Sequence, residues 1–131
     1  MQNNFFVEIT VTGSRDEPAY QIPSEWLVAA GMQNYMPSRP SYRCDKPNTL
    51  IPLADIEMPK RNAGIRSDTN GFRRDDMLKL LTKIRNGDNI WPVKLVPGGL
   101  PYVLYRGFHR FYASIAVGFS HIPAVFVGHN D

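Results

Sequence analysis

The chain has 131 residues, 43% of them hydrophobic and 21% charged, with a net charge of +3 and one cysteine. That length and balance suit a single domain with its own core and exclude wholesale disorder. No run approaches the roughly 20 apolar residues that span a bilayer, and Cys44 alone rules out an internal disulfide or a multi-thiolate metal centre.

In chain order, Phe5–Val11 alternates as a strand does, and Gly13-Ser14 ends it. This stretch has no basic leader and Glu8 breaks its apolar run, so it reads as a strand, not a secretory signal, and a cytoplasmic location is expected. Ser24 is placed to cap a short helix, Glu25–Ala30, which Gly31 closes. Residues 32–49 contain Pro37, Pro40 and Pro47, show no apolar period, and read as a long irregular connection. Residues 1–49 are therefore expected to form an extension packed on the same domain, with residues 50–131 as its main body.

The main body is better specified. Leu50-Ile51-Pro52-Leu53 reads as a short strand entering a turn. Met77, Leu80, Leu81 and Ile84 fall at helical spacing, so Arg74–Asn86 is predicted as an amphipathic helix. Asp75 and Asp76 in its first turn, Lys83 and Arg85 in its last, and Gly87 beyond it all suit the helix dipole or the cap. Pro92–Val96 and Pro101–Tyr105 are strand-like and joined by a Pro97-Gly98-Gly99 turn. Phe108, Phe111, Tyr112 and Ile115 predict a second helix over Phe108–Val117, ended by Gly118, and Ile122–Val127 is a last strand. The fold class is α+β, a small mixed sheet with two main helices.

Charge is unevenly distributed. Residues 1–59 carry four basic and seven acidic side chains, net −3, whereas residues 60–85 carry eight basic and three acidic, net +5. Such a segment fits a polyanionic partner, and equally a solvated helix face with pairs such as Asp75–Lys79. Nothing points to a membrane partner.

The most informative stretch is Tyr105-Arg106-Gly107-Phe108-His109-Arg110. A strand stops, a glycine permits a tight turn, and a helix begins with its dipole's positive end at the turn. His109 and Arg110 sit in the first helical turn, where a positive charge costs roughly 0.3–1 kcal/mol. A bound anion would remove that conflict, since backbone donors, dipole and side chains would converge on it. Alternatively, His109 caps or packs locally and Arg110 reaches a carboxylate such as Asp55 or Glu57.

The Ile51-Pro52-Leu53 strand, the Lys83–Gly87 helix end, Trp91–Val96, Tyr105–Ala113, Gly118 and Ile122-Pro123-Ala124-Val125 together resemble the ParB N-terminal and sulfiredoxin family. The resemblance covers residues 50–127 and implies a ParB/sulfiredoxin-like fold. Members hold ATP, CTP or ADP phosphates at the glycine turn, which by position makes Gly107, Phe108, His109 and Arg110 phosphate contacts. Arg66 stands where sulfiredoxins place a nucleotide-binding arginine, and Lys79 and Lys83 where they carry Ser and Thr near the phosphates. The implied ligand is ATP, ADP or CTP with Mg²⁺, and no tightly bound metal.

Two departures narrow the activity. Sulfiredoxins need a cysteine before the His-Arg pair, and Phe108 has no thiolate, so sulfiredoxin chemistry is excluded. Partition ParB proteins continue into helix-turn-helix regions, whereas this sequence stops four residues after its last strand, so site-specific centromere binding is not expected. His109, His121 and His129 are too loosely spaced for a metal set. Asp55 and Glu57 are the carboxylate candidates for a nuclease metal or a general base. Trp26 and Trp91 read as core or rim, and Tyr105 or Phe108 as a surface on which a base could stack. Three functions fit: a nucleotide- or phosphate-binding module, holding, hydrolysing or transferring phosphate; a nucleic-acid-binding protein or ParB-like nuclease gripping backbone phosphate at the same turn; or a non-catalytic interaction protein.

Overall fold

The structure, a computed structural model, describes residues 20–60, 68, 69 and 71–128. The expected strand Phe5–Val11, Arg66 and His129 lie outside the described residues. The architecture is α+β. Chain order runs α1 (Ser24–Ala29), β1 (Thr49–Pro52), a 3₁₀ turn (Leu53–Asp55), α2 (Arg74–Asn86), β2 (Val93–Val96), β3 (Val103–Arg106), α3 (Phe108–Val117) and β4 (His121–Phe126).

The two long helices fall on their predicted bounds because each carries its own start and stop. Gly87 and Gly118 both adopt left-handed conformations, with φ of 72° and 97°, that close α2 and α3. The short helix begins and ends one residue earlier than expected, and its N-cap is Pro23, which makes no side-chain cap bond, in place of Ser24. Its carbonyl partner is Pro23 itself, which accepts from the Trp26 N–H at 3.0 Å. Strand ends also shift by a residue or two, because partners and not propensity set them. Pro97-Gly98-Gly99 is only part of the hairpin connection, since pairing resumes at Val96↔Val103.

The sheet order is β1-β4-β2-β3. β4 pairs antiparallel with β1 and parallel with β2, and β2 pairs antiparallel with β3. A further bridge joins Ile56, after the 3₁₀ turn, to Tyr102, ahead of β3. Chain leaving one edge strand thereby reaches the opposite edge. Helix α2 packs against α1 and α3. The core combines Met77 and Leu81 of α2, Phe111 and Tyr112 of α3, and Val93, Leu95 and Ile122 of the sheet, all essentially without solvent contact.

Residues 20–48 join this core. Ile22, Trp26, Leu27, Met32 and Tyr42 are buried in the same cluster. The segment after Gly31 forms no regular element as far as Asn48, yet it is anchored by backbone bonds. The Pro40 carbonyl accepts from the N–H groups of Ser120 and His121, and the Arg43 carbonyl from that of Ile90. Among the described residues no helix is long and apolar enough to cross a membrane.

Candidate functional site

Gly107 lies between β3 and α3 with φ of 121°, outside the range an L side chain readily takes. A Cβ there would lie 2.5 Å from Val93 Cγ1 and 2.9 Å from Val93 Cβ. The glycine is thus required twice, by backbone conformation and by the close approach of β2. It does not line the cavity described below, so its role is to bring α3 against the sheet.

The two cations of the following turn have different fates. His109 Nε2 accepts a 2.9 Å hydrogen bond from the backbone N–H of Arg73, the N-cap residue of α2. That nitrogen must therefore be unprotonated. The imidazole sits edge-on between Phe72 and Phe108, with ring centroids 5.7 and 5.9 Å away. His109 ties the start of α3 to the start of α2 and does not line the cavity. Its Nε2 thus takes the local capping and packing role that the sequence also allowed. The Phe108 ring is buried among Tyr20, Phe72 and Tyr112 and is not an open surface for a base.

Arg110 is held by backbone carbonyls and not by Asp55 or Glu57. Its Nη1 donates to Trp91 O at 3.1 Å and to Pro92 O at 2.8 Å. A guanidinium has five N–H groups, so Nε and Nη2 take no part in those two bonds. The Tyr42 hydroxyl donates to the same Trp91 carbonyl at 2.7 Å. Burial pushes the Tyr42 phenol well above its ordinary range, an effect the neighbouring Arg110 charge partly opposes.

Arg110 opens onto a cavity of about 510 Å³ between α2, the chain entering β2, and the end of β3. That volume lies within the roughly 300–1,000 Å³ usual for small-molecule sites. Lys79 and Lys83 line it from α2, Lys94 from β2, and Arg106 from β3, with Trp91 and Pro92 beside them. Asp76 is the acidic residue among them, and its Oδ2 is already 3.5 Å from Arg73 Nε.

Two like-charge pairs face this space. Lys79 and Lys83 are one helical turn apart, which disfavours both charges. Lys94 and Arg106 are directly opposed across β2 and β3, the arrangement that cross-strand pairing penalises. A bulge creates the second pair: Lys94 aligns with Arg106 and Leu95 with Leu104, leaving Tyr105 as the extra residue.

Among residues expected from the sequence, Lys79, Lys83 and Arg110 therefore come together. Asp55 and Glu57 do not join them. The backbone of both bonds to Tyr102 at 2.8 Å, and Tyr102 lies four residues before Arg106, about 13 Å along an extended strand. Both therefore lie at the end of β3 away from Arg106. Lys94, Arg106 and Trp91 were not anticipated as site residues; the available signal was a charge placed inside otherwise apolar strands. His121 opens β4, the strand that follows α3, with Nδ1 2.7 Å from Ser120 Oγ. No protein-family model matches the chain, and neither a curated protein nor a solved structure does.

Proposed function

We propose that this chain is a nucleotide- or phosphate-binding domain of the ParB/sulfiredoxin kind, its phosphates held among Lys79, Lys83, Lys94, Arg106 and Arg110. The observation that carries this reading is that two like-charge pairs, one on α2 and one across β2 and β3, line the same cavity. Each costs a few tenths of a kcal/mol or more without a ligand, and each becomes favourable once an anion lies between the charges. Arg110, with its Nη1 fixed by two carbonyls, presents a pre-oriented guanidinium, which suits a phosphate better than a mobile ammonium does. Of this set, Lys79, Lys83 and Arg110 are positions that the family resemblance also implies; Gly107, Phe108 and His109 do not line the cavity.

Binding, not transfer, is the function proposed. Asp76 is the lining carboxylate, and it is shared with Arg73; phosphate release from ATP or CTP is the separate assay for hydrolysis. The test of binding is thermal unfolding of the full chain with ATP, ADP, CTP and GTP, with and without Mg²⁺. A ligand at 100 times its Kd stabilises by about 2.7 kcal/mol, and a Lys94→Ala/Arg106→Ala variant should lose that stabilisation. A wild-type chain whose unfolding none of these ligands moves overturns the reading.

A second reading has one observation of its own. Tyr105, the bulged residue beside Arg106, is 61% exposed, which suits contact with a nucleic-acid strand whose phosphate enters the cavity. Gel shifts with single-stranded DNA and RNA across a salt series test it, because each neutralised phosphate adds about 0.7 to the logarithmic salt slope.

A further inference from the structure

Trp91 is 63% exposed, whereas Trp26, the other tryptophan, is 3% exposed. Exposure of so large an apolar ring is unusual beside a backbone held so firmly. The Trp91 carbonyl accepts from both Tyr42 and Arg110, and its neighbours Ile90 and Pro92 are buried. The indole is thus a flat apolar surface on a rigid mount at the rim of a cationic cavity. The Lys46 ammonium lies 4.2 Å from the ring centroid. Trp91 lines the cavity, and Lys46 is not among the lining residues.

From this arrangement we infer that Trp91 is a base-stacking platform, and that the ligand of the cavity is a nucleoside polyphosphate, not a simple phosphate ester or inorganic polyphosphate. This inference rests on the phosphate-binding reading above and deepens it. The lysines and arginines would attract any polyanion; only the indole rewards a planar aromatic group on the same molecule. Stacking tolerates every base because each has a π face, so the platform provides affinity for a nucleotide without choosing among purines and pyrimidines. Lys46 contributes by holding the ring through a cation–π contact.

Isothermal titration of the full chain with ATP, CTP and inorganic tripolyphosphate separates the two levels of the proposal. Trp91→Ala is expected to weaken ATP and CTP binding by about 10- to 100-fold, with tripolyphosphate affinity unchanged within about twofold. Trp91→Phe should restore most of the loss. Tryptophan fluorescence of the wild type should be quenched by ATP and CTP but not by tripolyphosphate. Nucleotides binding no tighter than tripolyphosphate, or a Trp91→Ala chain that binds both as the wild type does, overturns the stacking inference and leaves the phosphate site standing. Failure of all three ligands to bind the wild type removes the phosphate site itself. Tighter binding of a single-stranded oligonucleotide than of any free nucleotide also overturns the inference, in favour of a polymer.

Discussion

The starts of α2 and α3 lie side by side and solve the same electrostatic problem in different ways. Helix α2 follows the dipole rule, with Asp75 and Asp76 in its first turn. Its leading donors are met by protein acceptors: the Arg73 N–H by His109 Nε2 and the Arg74 N–H by Asp68 Oδ2 at 2.8 Å. Helix α3 has no acidic residue in its first turn and places His109 and Arg110 there. One of those residues turns back to complete the neighbouring helix, and the other turns out to join four further cations. A positive side chain at a helix start is thus not by itself the mark of an anion site; the destination of its tip decides.

Four measurements break or sharpen this contrast, in descending order of expected effect. Gly107→Ala should destabilise the chain by about 3 kcal/mol in urea unfolding, because strain at positive φ adds to overlap with Val93. A Val93→Ala change in the same chain should recover part of that loss by removing the overlapped methyls; if it recovers nothing, the close approach is not what requires the glycine. Arg110→Met should cost about 2 kcal/mol, since two carbonyls lose a charged donor, and ATP affinity should drop at least tenfold. Arg110→Lys should recover part of the stability, since a single nitrogen serves both carbonyls. It should recover little of the ATP affinity, because an ammonium in that place leaves no second nitrogen for a phosphate.

The third measurement is alkaline unfolding. Burial raises the phenols of Tyr42 and Tyr112 far above their ordinary range. The folded chain therefore keeps protons that the unfolded chain releases near pH 10, and stability is complete below that pH and declines above it. The slope is at most about 1.4 kcal/mol per pH unit for each such tyrosine. Tyr42→Phe should remove its share and leave that of Tyr112, whose hydroxyl donates to Pro59 O at 2.7 Å. An unchanged alkaline limb in that variant would mean Tyr42 is not the buried phenol described here.

The smallest effect is the most discriminating. His109→Ala should cost about 1 kcal/mol, the price of leaving the Arg73 N–H without this acceptor, yet leave ATP affinity within about twofold of wild type. A loss of affinity like that of Arg110→Met would place the histidine in the binding site and erase the difference between the two helix starts.

Much of the architecture was legible because its causes are local. Met77, Leu80, Leu81 and Ile84 fix the face of α2 whatever they meet, and Gly87 and Gly118 end their helices by backbone conformation alone. The irregular segment after Gly31 was recognisable as irregular from its prolines. That Met32 and Tyr42 would be buried was not, because no period marks residues whose burial depends on what covers them. Of the residues expected at a site, Lys79, Lys83 and Arg110 line one cavity, and Asp55 and Glu57 do not. Nearness along the chain to a strand end does not say which end of the neighbouring strand lies beside it.

By itself, the sequence determined the two long helices, the glycine turn and the surplus of positive charge, since each follows from the spacing and backbone freedom of neighbouring residues. Only the tertiary structure decided where those charges meet. One extra residue in β3 sets Arg106 rather than Tyr105 opposite Lys94, and the docking of α2 against α3 turns His109 toward a backbone N–H and away from the cavity. The bulge and connection between β2 and β3 set the strand register, and helix docking is settled by contacts between segments far apart in the chain; the spacing of residues within one element records neither.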